Sequence, residues 1–463
     1  MPSFDLLLVG GRVIDPRNDL DGDFDIGIKD GEIKSVKSGL DQQTADRIIN
    51  LHGKTAIPGV IDSHMHAGIA GYRMMAKVGV VTGVDFSDRT DIICNNVKTY
   101  GSGMNIANLT DVRAHGSASR METDRKEIER SVAKAVEDGA LGVKILGGHF
   151  PFTPDTTRTI IDVVNEQRAY VAFHVGTTST GSNLNGLLQA IELVGKNSLH
   201  VAHVNSYLRG MTKDPVEECI EGLTALEGKE NIVSESYLSI INGTGGNCTN
   251  GVPDSHVTRN CLRMRGYAES QEGLERAIRE GYSMVNVVFG GECTLISGPE
   301  GVRHWKNAKT EIGVSFPVNV PASTFLCATR KDEKGKFIVN AISTDGGAIP
   351  RNVTVRSGLS LVRYGALTLN EFVQKTSCNP ADMFGMTSKG HLTEDADADI
   401  TILDLERGEA VMGIAKGQVI MIDGIVTGRG GIIVTTKAGA KSVEKTGLRF
   451  DVIDLEHSRL YRK

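Results

Sequence analysis

No Cys-x-x-Cys pair occurs among the seven cysteines (94, 219, 248, 261, 293, 327 and 378). Neither a paired disulfide framework nor a structural zinc knuckle is therefore written into their spacing. No apolar run approaches the roughly 18 residues of a membrane span, so none is expected. A basic excess is also missing: 51 Lys and Arg stand against 57 Asp and Glu, a formal charge of -6 over 463 residues. That balance argues against nucleic-acid or membrane-surface partners. The first residues, MPSFDLLLVGG, carry no basic stretch ahead of their apolar run, and no signal peptide is expected. Scattered thiols without partners fit a reducing cytoplasm. Hydrophobic residues at 40% and charged residues at 23% are ordinary for a globular protein with a sizeable core. Glycine is abundant at 54 residues but shows no Gly-X-Y period, which excludes collagen and predicts many tight turns.

Both ends of the chain read as short strands. Residues 4–9 are apolar, 24–28 alternate, and Lys29-Asp30-Gly31-Glu32 is a hairpin signal. Residues 399–405 and 418–426 repeat the pattern at the far end, with Asp423-Gly424 as the turn. The two ends predict one small discontinuous β domain, 1–58 plus 391–463. Between them, strand-length apolar runs at 60–61, 80–86, 106–112, 141–146, 170–175, 199–204, 232–236 and 337–343 alternate with helical patterns at 124–137, 157–166, 184–194, 216–226 and 270–280. Such alternation predicts parallel βαβ units, and eight of them a (β/α)8 barrel over 59–390. A ninth candidate, 283–289, falls inside a long insert at about 249–321. That insert is too long for an ordinary loop and would form a lid or an oligomer contact.

Functional groups of a parallel barrel sit at the C-terminal ends of its strands, where several polar residues fall here. The first strand ends in Ile-Asp-Ser-His64-Met-His66, an i, i+2 pair that strand geometry puts on one face. Two imidazoles so placed suit a divalent metal, although surface histidines also share this spacing. His174 ends AYVAFHVG and His203 ends LHVAHVN; each reads as a ligand or as a core histidine donating to a carbonyl. Lys144 stands inside the apolar LGVKILGG, either snorkelling from a strand end or converted by carbon dioxide to an anionic carbamate. Asp345, before Gly346-Gly347, is a turn residue or a carboxylate able to bind metal and accept a proton.

Taken together these residues resemble the amidohydrolase superfamily. Ile-Pro-Gly-Val-Ile-Asp-Ser-His64-Met-His66 is similar to its first-strand signature. The segments Asn379-Pro380-Ala381, Lys389-Gly390-His391-Leu392 and Asp397-Ala398-Asp399-Ile400 resemble its return from barrel to β domain. The resemblance spans nearly the whole chain. It implies a distorted (β/α)8 barrel with a small β-sandwich domain built from both ends. It also implies two divalent ions, with zinc as the expected metal: His64, His66 and Asp345 on the first, His174 and His203 on the second, and carboxylated Lys144 bridging them. The implied activity is hydrolysis of a non-peptide C–N bond by a metal-bridging hydroxide, with Asp345 as catalytic proton shuttle.

Within that superfamily the ligand set resembles the binuclear branch of hydantoinases, dihydropyrimidinases, dihydroorotases and acyl-amino-acid deacylases. A cyclic amide or ureide is the first expectation and an N-acyl amino acid the alternative. Three positions depart from the cyclic-ureide pattern: His149 where a tyrosine follows the bridging lysine, His174-Val-Gly-Thr in place of His-Ala-Glu-Asn, and Thr344-Asp345-Gly346-Gly347 in place of Ser-Asp-His. Loop residues His149, Asn205, Tyr207, Arg209, Ser236, Tyr237 and Arg351 are candidate contacts for a small-molecule substrate. A mononuclear deaminase would not need Lys144, and a non-enzymatic scaffold would have lost ligands. Oligomers are common among look-alikes, and a homo-oligomer of unspecified number is expected here.

Overall fold

The computed structural model describes residues 3–112 and 124–462. Eight parallel strands among them form the barrel: β1 (Val60–His66), β2 (Val80–Asp85), β3 (Ser102–Val112), β4 (Gly142–Ile145), β5 (Tyr170–Phe173), β6 (Leu199–Val201), β7 (Ile232–Tyr237) and β8 (Ala341–Ser343). They fall on the eight expected apolar runs: the first, third and seventh are longer than expected and the other five shorter. Hydrogen bonds run from β1 through to β8 in chain order, and Gly346–Gly347 closes the circle by pairing with Met65 and His66. Alternation sorts the side chains. Val143, Ile145, Val171 and Phe173 face the outer helices, while Tyr170, Ala172 and Val233 fill the interior.

The expected helices are present as Arg125–Glu137, Pro154–Glu166, Leu184–Val194, Pro215–Leu226 and Gln271–Arg279. Their starts follow from caps: Thr153, Asn183, Asp214 and Ser270 each accept a backbone N–H of the first turn.

A nine-stranded sheet from residues 4–58 and 400–426 folds around its own core of Leu6, Leu8, Val13, Ile26, Ile400, Ile402 and Ile414. One difference from the sequence expectation concerns the last residues. Gly430–Thr436 and Arg449–Ile453 do not join this sheet; they extend the barrel, with Ile432 and Ile433 beside Asn105 and Ile106 of β3. The reason lies in β4, whose pairing begins only at Leu109, so the lower half of β3 has a bare edge that the C-terminal strand covers. The final turn then plugs the barrel floor, where the Ser198 hydroxyl donates to the Leu460 carbonyl and the Tyr461 hydroxyl to the Ala169 carbonyl.

The insert between β7 and β8 is a small α+β unit. Its four-stranded sheet contains Met284–Phe289, the ninth strand candidate, running antiparallel to its neighbours. With the helices His256–Arg263, Gln271–Arg279 and Gly298–Asn307 it encloses Leu274, Ile278, Val285, Phe316 and the lone Trp305, whose indole N–H donates to the Gly246 carbonyl. All seven cysteines are free thiols. No helix of the described residues is long and apolar enough to cross a membrane.

Candidate metal centre

At the C-terminal mouth of the barrel, His64 Nε2 lies 3.2 Å from His66 Nε2 and 3.3 Å from Asp345 Oδ1, and His66 Nε2 lies 3.2 Å from the same oxygen. Lys144 Nζ stands 3.3 Å from His64 Nε2. His64, His203 and Asp345 form a further trio whose ligand atoms lie within 4.8 Å of one another. His174 sits beside them, edge-on to His203 at 4.4 Å between ring centroids and 3.3 Å from the Ser182 hydroxyl. All six expected ligand residues thus share one mouth.

Strand alternation places most of these side chains. Lys144 falls on the inward parity opposite Val143 and Ile145 and is only 1% exposed, so it does not snorkel. His203 has the parity of Leu199 and Val201, which face outward. A left-handed backbone (φ 34°) turns it back to the mouth, and Asp345 likewise stands at φ 47°. Left-handed conformations at such residues cost energy and cluster at functional sites. Register shifts in β1 between Val60 and Ile61 and between Asp62 and Met65 re-aim its two histidines.

The electrostatics follow from burial. Desolvation, reinforced by the Lys144 ammonium, lowers His64 to about 3, and desolvation first of all holds His174 and His203 well below the usual imidazole value. Burial lowers Lys144 to about 8, against the pull of Asp345 and Glu235. Burial would raise Asp345, but its charged neighbours, the Arg351 guanidinium first, outweigh it and keep this carboxylate well below its ordinary range. His64, His174 and His203 are therefore neutral and Asp345 charged, the forms that bind a cation.

Glu235, which sequence reasoning passed over, organises the mouth. Its Oε1 accepts hydrogen bonds from His64 Nδ1–H at 2.7 Å and from the His203 backbone N–H at 2.7 Å, while the Ser343 hydroxyl donates to Oε2 at 2.5 Å. That bond fixes the His64 tautomer and leaves the Nε2 lone pair facing Asp345. Two acceptors 3.3 Å apart with no proton between them call for a cation. Donors about 2.0–2.1 Å from a tetrahedral ion stand about 3.3 Å from each other, so the set fits a metal. His203 Nδ1 is buried with no hydrogen-bond partner, as a ligand nitrogen would be. A carboxylate at the inward position between Val233 and Tyr237 was the available signal for Glu235. Asp62 was also missed; it accepts the backbone N–H of His64 and Thr344, bracing both ends of the ligand set.

The mouth opens into a cavity of about 1360 Å³ roofed by the insert. His149, Arg209, Tyr237 and Arg351 line it, whereas Asn205, Tyr207 and Ser236 do not. Asn205 is fully buried and accepts the Tyr237 backbone N–H; the Tyr207 hydroxyl accepts that of Val175; Ser236 is buried in the barrel wall. These three support the mouth instead of facing a ligand. His149 bonds through Nδ1 to the Ser255 hydroxyl at 2.9 Å and accepts the His256 backbone N–H, which clasps the barrel to the insert. Arg351 is no rim arginine: it is 1% exposed, holds Asp345 Oδ2 at 2.6 Å and leaves Nε and Nη1 without partners.

Fold and site together define a class, a (β/α)8 hydrolase whose histidines and aspartate converge at the strand ends to hold metal. The model of the Amidohydrolase family matches residues 69–429, and the chain belongs to that family. It is a hydrolase acting on carbon–nitrogen bonds other than peptide bonds. Relatives include a dihydroorotase of Syntrophus aciditrophicus, 24% identical over 86% of this chain and 89% of that protein. A dihydroorotase of Trichlorobacter lovleyi is 22% identical over the same shares. The zinc- and phosphonate-bound N-acyl-D-glutamate deacylase of Bordetella bronchiseptica superposes with a TM-score of 0.67 at 15% identity, covering 92% of this chain and 98% of that one. The dihydropyrimidinase of Brevibacillus agri gives 0.59 at 15% identity over 92% and 97%. At these identities the structural likenesses show the fold.

Proposed function

We propose that the mouth binds two divalent ions, with carboxylated Lys144 between them, and hydrolyses an amide bond of a small molecule held in the cavity. The observation that carries this reading is the meeting of His64, His66 and Asp345 at 3.2–3.3 Å beside the buried Lys144 amine. His64, His66 and Asp345 would hold one ion, His174 and His203 the other. Burial brings the Lys144 amine nearer to its neutral form, the form that reacts with carbon dioxide. Bound ions supply an acidified water and polarise the substrate carbonyl. Asp345, steadied by Arg351, would accept a proton from the attacking water as its oxygen bonds to the carbonyl carbon, and would deliver that proton to the leaving nitrogen as the C–N bond breaks. Arg351, 4.8 Å above the Tyr237 ring, and Tyr237 itself line the cavity beside Asp345 and shape the place of the substrate. Zinc as the ion, a cytoplasmic setting and a homo-oligomer belong to the same proposal.

A cyclic amide or ureide is the first substrate class, in keeping with the dihydroorotase relatives. Cleavage of an N-acyl amino acid is the second reading, favoured by a cavity of about 1360 Å³ that is far larger than such a ring. Elemental analysis of protein prepared without chelator, paired with hydrolysis assays on hydantoins, dihydropyrimidines and N-acyl amino acids, tests both. About two ions per chain and turnover of one series are expected. About one ion per chain, unchanged in Lys144→Ala, would transfer the reading to a mononuclear enzyme.

A further inference from the structure

The helix His256–Arg263 has two faces. Val257, Cys261 and Leu262 pack into the core of the insert. His256, Arg259, Asn260 and Arg263, at i, i+3, i+4 and i+7, line the same cavity as the metal centre. A polar face of this kind is ordinary toward solvent, but here it walls a substrate cavity and is predominantly basic.

The cavity arginines differ in how they are satisfied. Arg351 is paired with Asp345, and Arg263 grips Glu269 through two bonds of 2.6 and 2.8 Å. Arg209 spends its Nε and Nη2 on Asn319, Ser206 and Tyr237. Arg259 meets no carboxylate in an ion pair among the described residues: its Nε is buried without a partner, and its Nη2 reaches only the Asp254 carbonyl at 3.5 Å. Arg259 is half-buried at the cavity wall; a guanidinium so placed with no carboxylate partner gains from a ligand that supplies the acceptor, and its fork matches a carboxylate. Nearby Arg259 and Arg263 also help to depress His256, after burial, as a patch lacking its anion would.

We propose that this helix face is a distal anion subsite, anchored by Arg259, and that the molecule cleaved is an extended amide bearing a carboxylate remote from the scissile bond. The proposal rests on the reading of the cavity as an amide-hydrolysing site, and it deepens that reading by naming a substrate class.

The test uses metal-loaded full-length protein and two probe series, N-acylglycines and 5-substituted hydantoins. Each carries a side chain of increasing length ended in a carboxylate or in its methyl ester. Calorimetry measures binding, and hydrolysis is scored separately. At the length that reaches Arg259 the acid is expected to bind about ten-fold tighter than the ester. Arg259→Gln should abolish that preference, and Arg263→Gln, already neutralised by Glu269, should keep most of it. Equal affinity of acid and ester in the unmodified protein, a preference that survives Arg259→Gln, or binding of neither series overturns the proposal. The comparison in the unmodified protein decides the matter even where a variant does not fold. A probe bound with the preference but not cleaved leaves the subsite standing and sinks the hydrolytic reading, so the two failures are told apart.

Discussion

At the scale of single residues, the mouth depends on groups that do different work. Asp345 is kept ionised first of all by Arg351, so Asp345→Asn removes a base that is ready at neutral pH. A fall in kcat of about 10²–10⁴-fold is expected, read by steady-state assay against whichever probe series is cleaved. Glu235 touches no substrate in this arrangement; it orients His64 and the His203 backbone. Glu235→Gln should therefore act through the metal, weakening its retention by about 10–100-fold, measured by competition with a chelator. Full activity at saturating metal would agree with a positioning role, and unchanged metal affinity would contradict it. The histidines and Asp345 were legible because each follows an apolar strand pattern at its end, and Lys144 because it interrupts one from within. Glu235 was not, because a Glu flanked by serines in a half-polar strand reads as an exposed position until the barrel interior is known to lie on that side.

At the scale of elements, close approach between loops sets the geometry of the mouth. The loop after β4 passes so near His174 that a methyl group on Gly148 would lie 2.1 Å from its Nε2. Gly148→Ala should push the imidazole aside. Loss of metal at the His174–His203 side with a nearly unchanged melting temperature is the expected result, checked by elemental analysis and calorimetry together. The barrel strands were readable from their apolar runs, and even the ninth candidate proved a real strand. The fate of the C-terminal strands was not, because membership of one sheet or another is decided by which edge lies bare, and the bare lower edge of β3 follows from where β4 begins to pair. His203 shows the same limit more sharply: its alternation points outward, and only the left-handed turn at its own backbone brings it in.

At the scale of the whole molecule, one buried knot of charge joins the barrel, the terminal β sheet and the C-terminal strand. Lys389 Nζ lies 2.6 Å from Asp397 and 2.8 Å from Asp399; Lys416 reaches Asp397 at 2.8 Å and Asp451 at 3.0 Å; Asn105 of β3 donates to Asp399 at 2.8 Å. The motif containing Lys389, Asp397 and Asp399 was recognisable in the sequence, yet its role as a junction is visible only where three segments meet, with Asn105, Lys416 and Asp451 brought from elsewhere. Lys389→Met would leave Asp397 and Asp399 short of their main cation, and breaking a buried pair from one side costs about 3–5 kcal/mol. Burial works against ionised Asp397, but Lys389 and Lys416 outweigh it and hold its carboxyl below the usual value. Its contribution is therefore complete above the unfolded carboxyl value, near pH 4, and is lost as pH falls through the lower folded one. Melting temperatures measured from pH 7 down to pH 3 should fall steeply at the acid end in the unmodified protein. Lys389→Met should start lower at pH 7 and fall less steeply over that interval, because protonating an aspartate that has lost its lysine relieves a charge instead of breaking a pair. Parallel curves for the two proteins would show that the junction does not depend on this lysine.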